Sequence, residues 1–192
     1  MGKLVFEIVI IFVGVTAAFA LESVRRDREE ASYRTAIILA LIPTLDDMAG
    51  HNRVFESGVQ SKLDAFDRAI ALHQQPQLPV YRESGAERPP VRIWDSVVAT
   101  GAARTLDPAL LFDLSTFYNR QDSFGERYVR YATYTEQYIF TLGADRKPVY
   151  DSSGNLRPEF AAYVDRLRDL LTASRSLTAQ AKSLRAELER QN

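Results

Sequence analysis

The sequence predicts an all-α protein: one N-terminal transmembrane helix that continues into a long helix, plus an extramembrane antiparallel helical bundle with a coiled-coil-like C-terminal helix. Three observations predict it. An apolar run opens the chain, MGKLVFEIVIIFVGVTAAFALESVRRDREE, and ends in a dense band of charge. Beyond it, apolar residues recur at spacings of three and four, the repeat of one helix face. No segment sustains the alternation of a half-buried strand, so essentially no sheet is expected.

Residues 1–22 form the expected anchor. Leu4 to Leu21 is interrupted only by Glu7 and makes a helix of roughly 27 Å, close to the hydrocarbon thickness. Its Val, Ile and Phe side chains each favour insertion by roughly 0.3–0.6 kcal/mol, and Glu7 opposes it by about 3 kcal/mol if central. Ala18-Phe19-Ala20 has the small-x-small form of a cleavage site. An early carboxylate and Lys3 as the lone basic side chain before the run argue instead for a retained anchor. Phe6 stands where a myristoylation signal needs Ser or Thr. Gly14 and Ala18, with Ala17 beside them, make a small-residue face for packing against another membrane helix. Glu7 joins that face as a pairing carboxylate, with snorkelling to the headgroups as its alternative. Arg25, Arg26 and Arg28 are candidates for headgroup contact, although Asp27, Glu29 and Glu30 between them also fit a self-neutralising solvated face. Counting arginines after the span favours a cytoplasmic domain; an apolar segment this near the N-terminus acts as a signal-anchor and favours the periplasm, which is the expectation adopted.

Residues 23–74 read as a long juxtamembrane helix, kinked near Pro43, with Asp46 and Asp47 suited to a restarted first turn. Phe55, Val59, Leu63, Phe66 and Ile70 lie on one of its faces. Residues 75–90 are a proline-rich loop. Residues 91–192 are the helical extramembrane domain. A short helix over 91–100 ends at Gly101, and Asp107 caps the next, with Pro108 at its first position. Leu110, Leu114, Phe117, Phe124, Tyr128, Tyr131 and Tyr138 follow on that helix, which closes near Gly143. After the turn-rich DRKPVYDSSGN, a last helix begins near Pro158. Its Phe160, Tyr163, Leu167, Leu170, Ser174, Leu177, Ala181, Leu184 and Leu188 form a seam that requires a partner helix in this chain or another.

The composition bounds the function. A net charge of -1 gives no general attraction to nucleic acid, and the absence of cysteine removes thiolate chemistry and cysteine metal sites. His51 and His73 have no ligand-like spacing, and there is no phosphate-cradling loop or nucleophile elbow. Neither a catalytic site nor a cofactor is expected. Tyr118, Tyr128, Tyr131, Tyr134 and Tyr138 are more aromatics than one thin bundle can bury around a single helix. They are expected to divide between core and a partner interface.

Two stretches carry a family resemblance: Phe6-Glu7-Ile8 leading to Gly14-Val15 and Ala18-Phe19-Ala20, and Trp94-x-x-Val97-x-x-x-Gly101 leading to Leu106, Leu110, Leu114 and Tyr118. The chain resembles uncharacterised bacterial single-pass membrane-anchored helical proteins. The resemblance implies topology and nothing beyond it, and a bacterial inner-membrane location is expected from the anchor. The leading expectation is a non-catalytic accessory subunit bound to the lipid bilayer and to other subunits of a membrane protein complex. A photosynthetic reaction-centre–antenna assembly heads the candidate hosts, beside a respiratory complex and an export machine, and no residue selects among them. The alternative is an extracytoplasmic helical ligand-sensing domain acting through a partner.

Overall fold

The computed structural model describes residues 2–82, 92–143, 145 and 147–191, of which the side chains of 2–15, 17, 18, 20, 92 and 93 lie outside the description. The chain is all-helical. Helix α1 spans Gly2–Ala71, α2 Arg92–Ala99, α3 Pro108–Tyr134 and α4 Pro158–Gln191. A 3₁₀ turn at Ala102–Thr105 links α2 to α3, and α3 runs on through a π-turn, Thr135–Ile139, into a 3₁₀ turn, Phe140–Leu142. Among the described residues the one extended pairing is an isolated antiparallel bridge, Tyr150 with Leu156.

The C-terminal seam finds its partner inside the chain. α4 lies antiparallel along the second half of α1. Arg168 meets Asp67 at 2.5 Å, Arg175 meets Gln60 at 2.6 Å, Arg185 meets Asp46 at 2.9 Å, and Arg34 meets Gln191 at 3.0 Å. Between these rungs the buried residues Ile38, Leu41, Leu45, Met48, Val59 and Leu63 of α1 share a core with Val164, Leu167, Leu177, Ala181, Leu184 and Leu188 of α4. Each fully buried aliphatic side chain contributes roughly 1.5–3 kcal/mol, whereas each exposed ion pair contributes under about 1 kcal/mol. Apolar burial therefore holds the seam, and the polar rungs set its register.

α3 lies antiparallel on α4, as the contact of Tyr131 with Tyr163 and that of Arg120 with Gln180 require. Phe55 joins α1 to α3: its ring meets Tyr81, Phe124 and Tyr128 edge-on at centroid distances of 5.0, 5.5 and 5.8 Å. Trp94 stacks on Tyr118 at 5.2 Å and fastens α2 to the bundle. Gly101, with φ of 72°, ends the α2 region, and the Asp107 carboxylate accepts from the backbone N–H groups of Ala109 and Leu110 at the start of α3. Ile70, placed by its spacing with the apolar face, is at the rim and more than one-third exposed.

α1 continues through Pro43, so no separate helix restarts at Asp46 and Asp47. Pro43 removes one donor, but it is exposed, so the carbonyl it leaves unpaired faces water. Leu41, Thr44 and Leu45 on either side are buried against the bundle, and packing there overrides the local penalty. Before the bundle, residues 23–33 of α1 are exposed on every side. This stretch is a solvated single helix, with Glu22 bridging to Arg25 at 3.3 Å and to Arg26 at 3.2 Å.

α1 ends in a Schellman-type turn. Gln74 N–H donates to the Ala69 carbonyl and His73 N–H to the Ile70 carbonyl, with His73 at φ 57° where glycine is the ordinary occupant. Gln74 to Tyr81 then runs back in extended form over α1. Tyr81 closes on Gly58 so tightly that a Cβ at position 58 would stand 2.4 Å from the Tyr81 ring, whereas Gly50, eight residues earlier, has nothing within 4 Å.

Two glycines in one helix therefore respond oppositely to alanine. Gly50→Ala is expected to stabilise by about 1 kcal/mol through helix propensity. Gly58→Ala should lose that gain and a further 1–3 kcal/mol or so by displacing Tyr81 from Phe55. Urea denaturation followed by circular dichroism measures both; equal stabilisation by the two would contradict the Gly58–Tyr81 contact. In the same assay His73→Gly should stabilise by roughly 1 kcal/mol through relief of its left-handed backbone.

Candidate functional site

The end of the bundle away from the N-terminus gathers most of the irregular structure. There the π-turn, the 3₁₀ turn and the extended Gln74–Tyr81 segment surround a cleft of about 450 Å³. Its walls are apolar: Phe66 from α1, Leu78 and Val80 from the extended segment, Ile139, Phe140 and Leu142 from the end of α3. Lys62 and Asp145 supply charge at its margin. π-turns are uncommon and concentrate at functional sites because the extra residue re-aims the side chains that follow. Here Tyr138 is 56% and Phe140 46% exposed, while Ile139 between them is buried.

A hydroxyl network under the cleft holds this end together. Tyr131 Oη lies 2.7 Å from Tyr163 Oη and 3.4 Å from the Pro79 carbonyl; Thr135 Oγ1 lies 3.0 Å from Tyr163 Oη and 2.8 Å from the Tyr131 carbonyl. Three hydroxyls have three hydrogens to distribute. The three shorter contacts are met when Thr135 donates to the Tyr131 carbonyl, Tyr163 to Thr135, and Tyr131 to Tyr163, leaving Pro79 as a weak second acceptor for Tyr131. The Tyr150 hydroxyl donates to the Pro76 carbonyl at 2.7 Å. Two tyrosines thus hold the carbonyls of the two prolines in the extended segment, a substitute for the ladder bonds that segment lacks.

Burial pushes the phenols of this core away from ionisation. It is the largest cause for Tyr131, whose phenol also faces Tyr163, and for Tyr163, and both lie above the ordinary phenol value. Tyr118, buried under Trp94, is pushed up to about 12. Near the cleft, backbone N–H groups of Asn155 and then Ser153 hold the Asp151 carboxyl below its usual range; the side chain is solvent-exposed and shapes the turn into α4.

The expected interface tyrosines separate into two sets. Tyr118 and Tyr131 are interior side chains of this chain, stacked on Trp94 and Tyr163, and are not surface residues. They sit where α3 faces α2 and α4, which its own spacing did not distinguish from the outward face. Tyr128 and Tyr134 are half-buried, Tyr134 packing against Tyr138 and Tyr163. Tyr138 is the member that faces solvent. Arg25, Arg26 and Arg28 are exposed, and the first two pair with Glu22, Arg25 also with Glu29 at 3.7 Å. The side chains of Glu7, Gly14, Ala17 and Ala18 lie outside the described residues. Among the described residues no helix is long and apolar enough to cross a membrane, and no group of three His, Asp or Glu is arranged to hold a metal.

Sequence reasoning missed three features of this region: the π-turn, the Tyr131–Thr135–Tyr163 network and the Tyr81–Gly58 contact. The last had a signal in a glycine inside an otherwise strong helix, which marks a close approach. The network had none, since Tyr163 of α4 stands 28 residues from Thr135 and 32 from Tyr131.

The network carries a pH prediction. A phenol with a raised folded value stabilises fully below the ordinary value near 10 and loses that contribution as pH rises through the folded value. Of the nine tyrosines, Tyr118, Tyr131 and Tyr163 should ionise only as the bundle unfolds. Absorbance at 295 nm and helicity followed together above about pH 10 should therefore show a late tyrosine phase coincident with helix loss. Smooth titration of all nine before any helix loss would contradict the buried network.

Searches against family models, curated proteins and solved structures give no match to this chain.

Proposed function

We propose that the chain is a non-catalytic, single-span accessory subunit that docks on a larger membrane assembly and braces it. The observation that carries this reading is the continuity of α1: one helix joins the apolar run Leu4–Leu21, a solvated charged stretch and the wall of the bundle. Held in a bilayer by that run, the bundle stands off the surface on a single-helix stalk, on the periplasmic side of a bacterial inner membrane. Glu7, Gly14, Ala17 and Ala18 then meet a neighbouring membrane helix, and Arg25, Arg26 and Arg28 lie at headgroup depth. The docking surface at the far end is Tyr138 and Phe140, flanked by half-buried Tyr134 and by Leu142. Aromatic side chains that already rest on a fixed core lose little entropy on binding, which makes them effective interface anchors.

One observation favours a second reading, ligand sensing through a partner: the apolar cleft of about 450 Å³ falls in the size range of small-molecule sites. Docking is preferred because Tyr138, more than half exposed, does not line that cleft.

Purification of the full chain in mild detergent, followed by mass spectrometry of its companions, tests the proposal. Specific subunits are expected to co-purify at fixed stoichiometry. Tyr138→Ala with Phe140→Ala should weaken that association by about tenfold or more, with thermal stability altered by no more than about 1 kcal/mol. A clean monomer, or a mature chain beginning at Leu21 that is soluble without detergent, would overturn it.

A further inference from the structure

α4 carries arginines on two sides, and the two sides are treated differently. Toward α1, Arg168, Arg175 and Arg185 each reach an acceptor on the facing helix: Asp67, Gln60 and Asp46. Toward α3 the facing side chains are cations as well. Arg127 and Arg130 of α3 and Arg166 of α4 line one groove of about 310 Å³, floored by buried Tyr131 and Leu170, with Asp169 as its single carboxylate. Arg166 has no hydrogen bond or ion pair among the described residues. Arg127 donates only to the Ser123 carbonyl of its own helix, at 3.4 Å, and Arg130 has only an exposed pair with Glu126 at 3.7 Å. Packed helices ordinarily oppose unlike charges, and three guanidiniums around one groove leave it with a surplus of positive charge.

We infer that this groove binds an acidic peptide segment of a partner protein, with two or more carboxylates on Arg127, Arg130 and Arg166 and an apolar side chain on the Leu170–Tyr131 floor. Guanidinium forks pair with carboxylates in bidentate geometry, and the apolar floor suits a segment that carries side chains of both kinds. A compact free anion would gain nothing from the apolar floor. Membrane headgroups are disfavoured by distance. The Arg168–Asp67 bridge ties this level of α4 to a point roughly 70 Å along α1 from Leu21, at 1.5 Å per residue. That distance argument rests on the anchor proposed above; the charge of the groove does not, and peptide binding is read without a membrane, so either idea can fail alone.

The test is fluorescence anisotropy on the full chain in neutral detergent, with a labelled peptide of about a dozen Glu and Leu residues and a Gln-for-Glu counterpart. The Glu peptide should bind, the Gln peptide should not, and binding should weaken by at least ~fivefold between ~50 and ~300 mM salt. Arg130→Gln with Arg166→Gln should weaken it at least ~tenfold, while Arg175→Gln, on the α1 side, leaves it unchanged. Asp169→Asn should tighten it ~2- to 5-fold, a gain that misfolding cannot imitate. Equal binding by the Arg130→Gln/Arg166→Gln protein would overturn the assignment. So would displacement by inorganic phosphate at matched charge, which would mark a small-anion site, or preferential capture by phosphatidylglycerol vesicles, which would mark a lipid site.

Discussion

From Arg34 to Phe66 one face of α1 is covered by α4. The other elements rest on that seam. α3 lies on α4, α2 is fastened to α3 through Trp94 and Tyr118, and the extended segment after α1 lies over Phe55 and Gly58. Apolar pairing alone is tolerant of slippage by a heptad, because such a shift again brings aliphatic residues together. A polar layer removes that tolerance. The Glu56 carboxylate accepts from Thr178 Oγ1 at 2.6 Å and from Ser174 Oγ at 3.2 Å, and Ser174 is fully buried. In a slipped register these groups would face leucine, and the half-buried Glu56 carboxylate and the buried Ser174 and Thr178 hydroxyls would lose one another.

The same seam explains why Pro43 does not break α1. A proline costs an isolated helix about 3 kcal/mol, yet Ile38, Leu41, Leu45 and Met48 around it are all in the core. Unwinding α1 there would strip several of those side chains from α4 at once. A helix that stays unbroken through Pro43 in turn gives the bundle a continuous edge, and the irregular structure collects at its far end, where α1 has stopped and α3 is finishing in π and 3₁₀ turns.

Much of this was legible in the residues. The all-helical class, the stop at Gly101, the Asp107–Pro108 start and the α4 stripe all follow from local chemistry that acts within a turn or two. The partner of the α4 stripe was not legible, because spacing specifies a face and leaves open which other face it meets. For the same reason the tyrosines of α3 could not be sorted. Tyr131 and Tyr138 are seven residues apart and share a stripe by periodicity, but the π-turn between them breaks the 3.6-residue phase, so one is interior and the other exposed. The arginine groove was invisible to a reading along the chain, since Arg127 and Arg166 meet only after α3 and α4 are folded together.

An uninterrupted α1 also fixes an angle. A helix turns by about 100° per residue, so the direction in which the cleft and the arginine groove point, relative to whatever grips the N-terminal part, is set by the number of residues in the exposed stretch 23–33. Adding one residue there would swing the whole bundle about a quarter-turn; adding seven would nearly restore its heading and lift it by about 10 Å. Length and compass bearing are thus written in the same short stretch, and evolution can change the first without losing the second only in steps close to a whole number of helical turns.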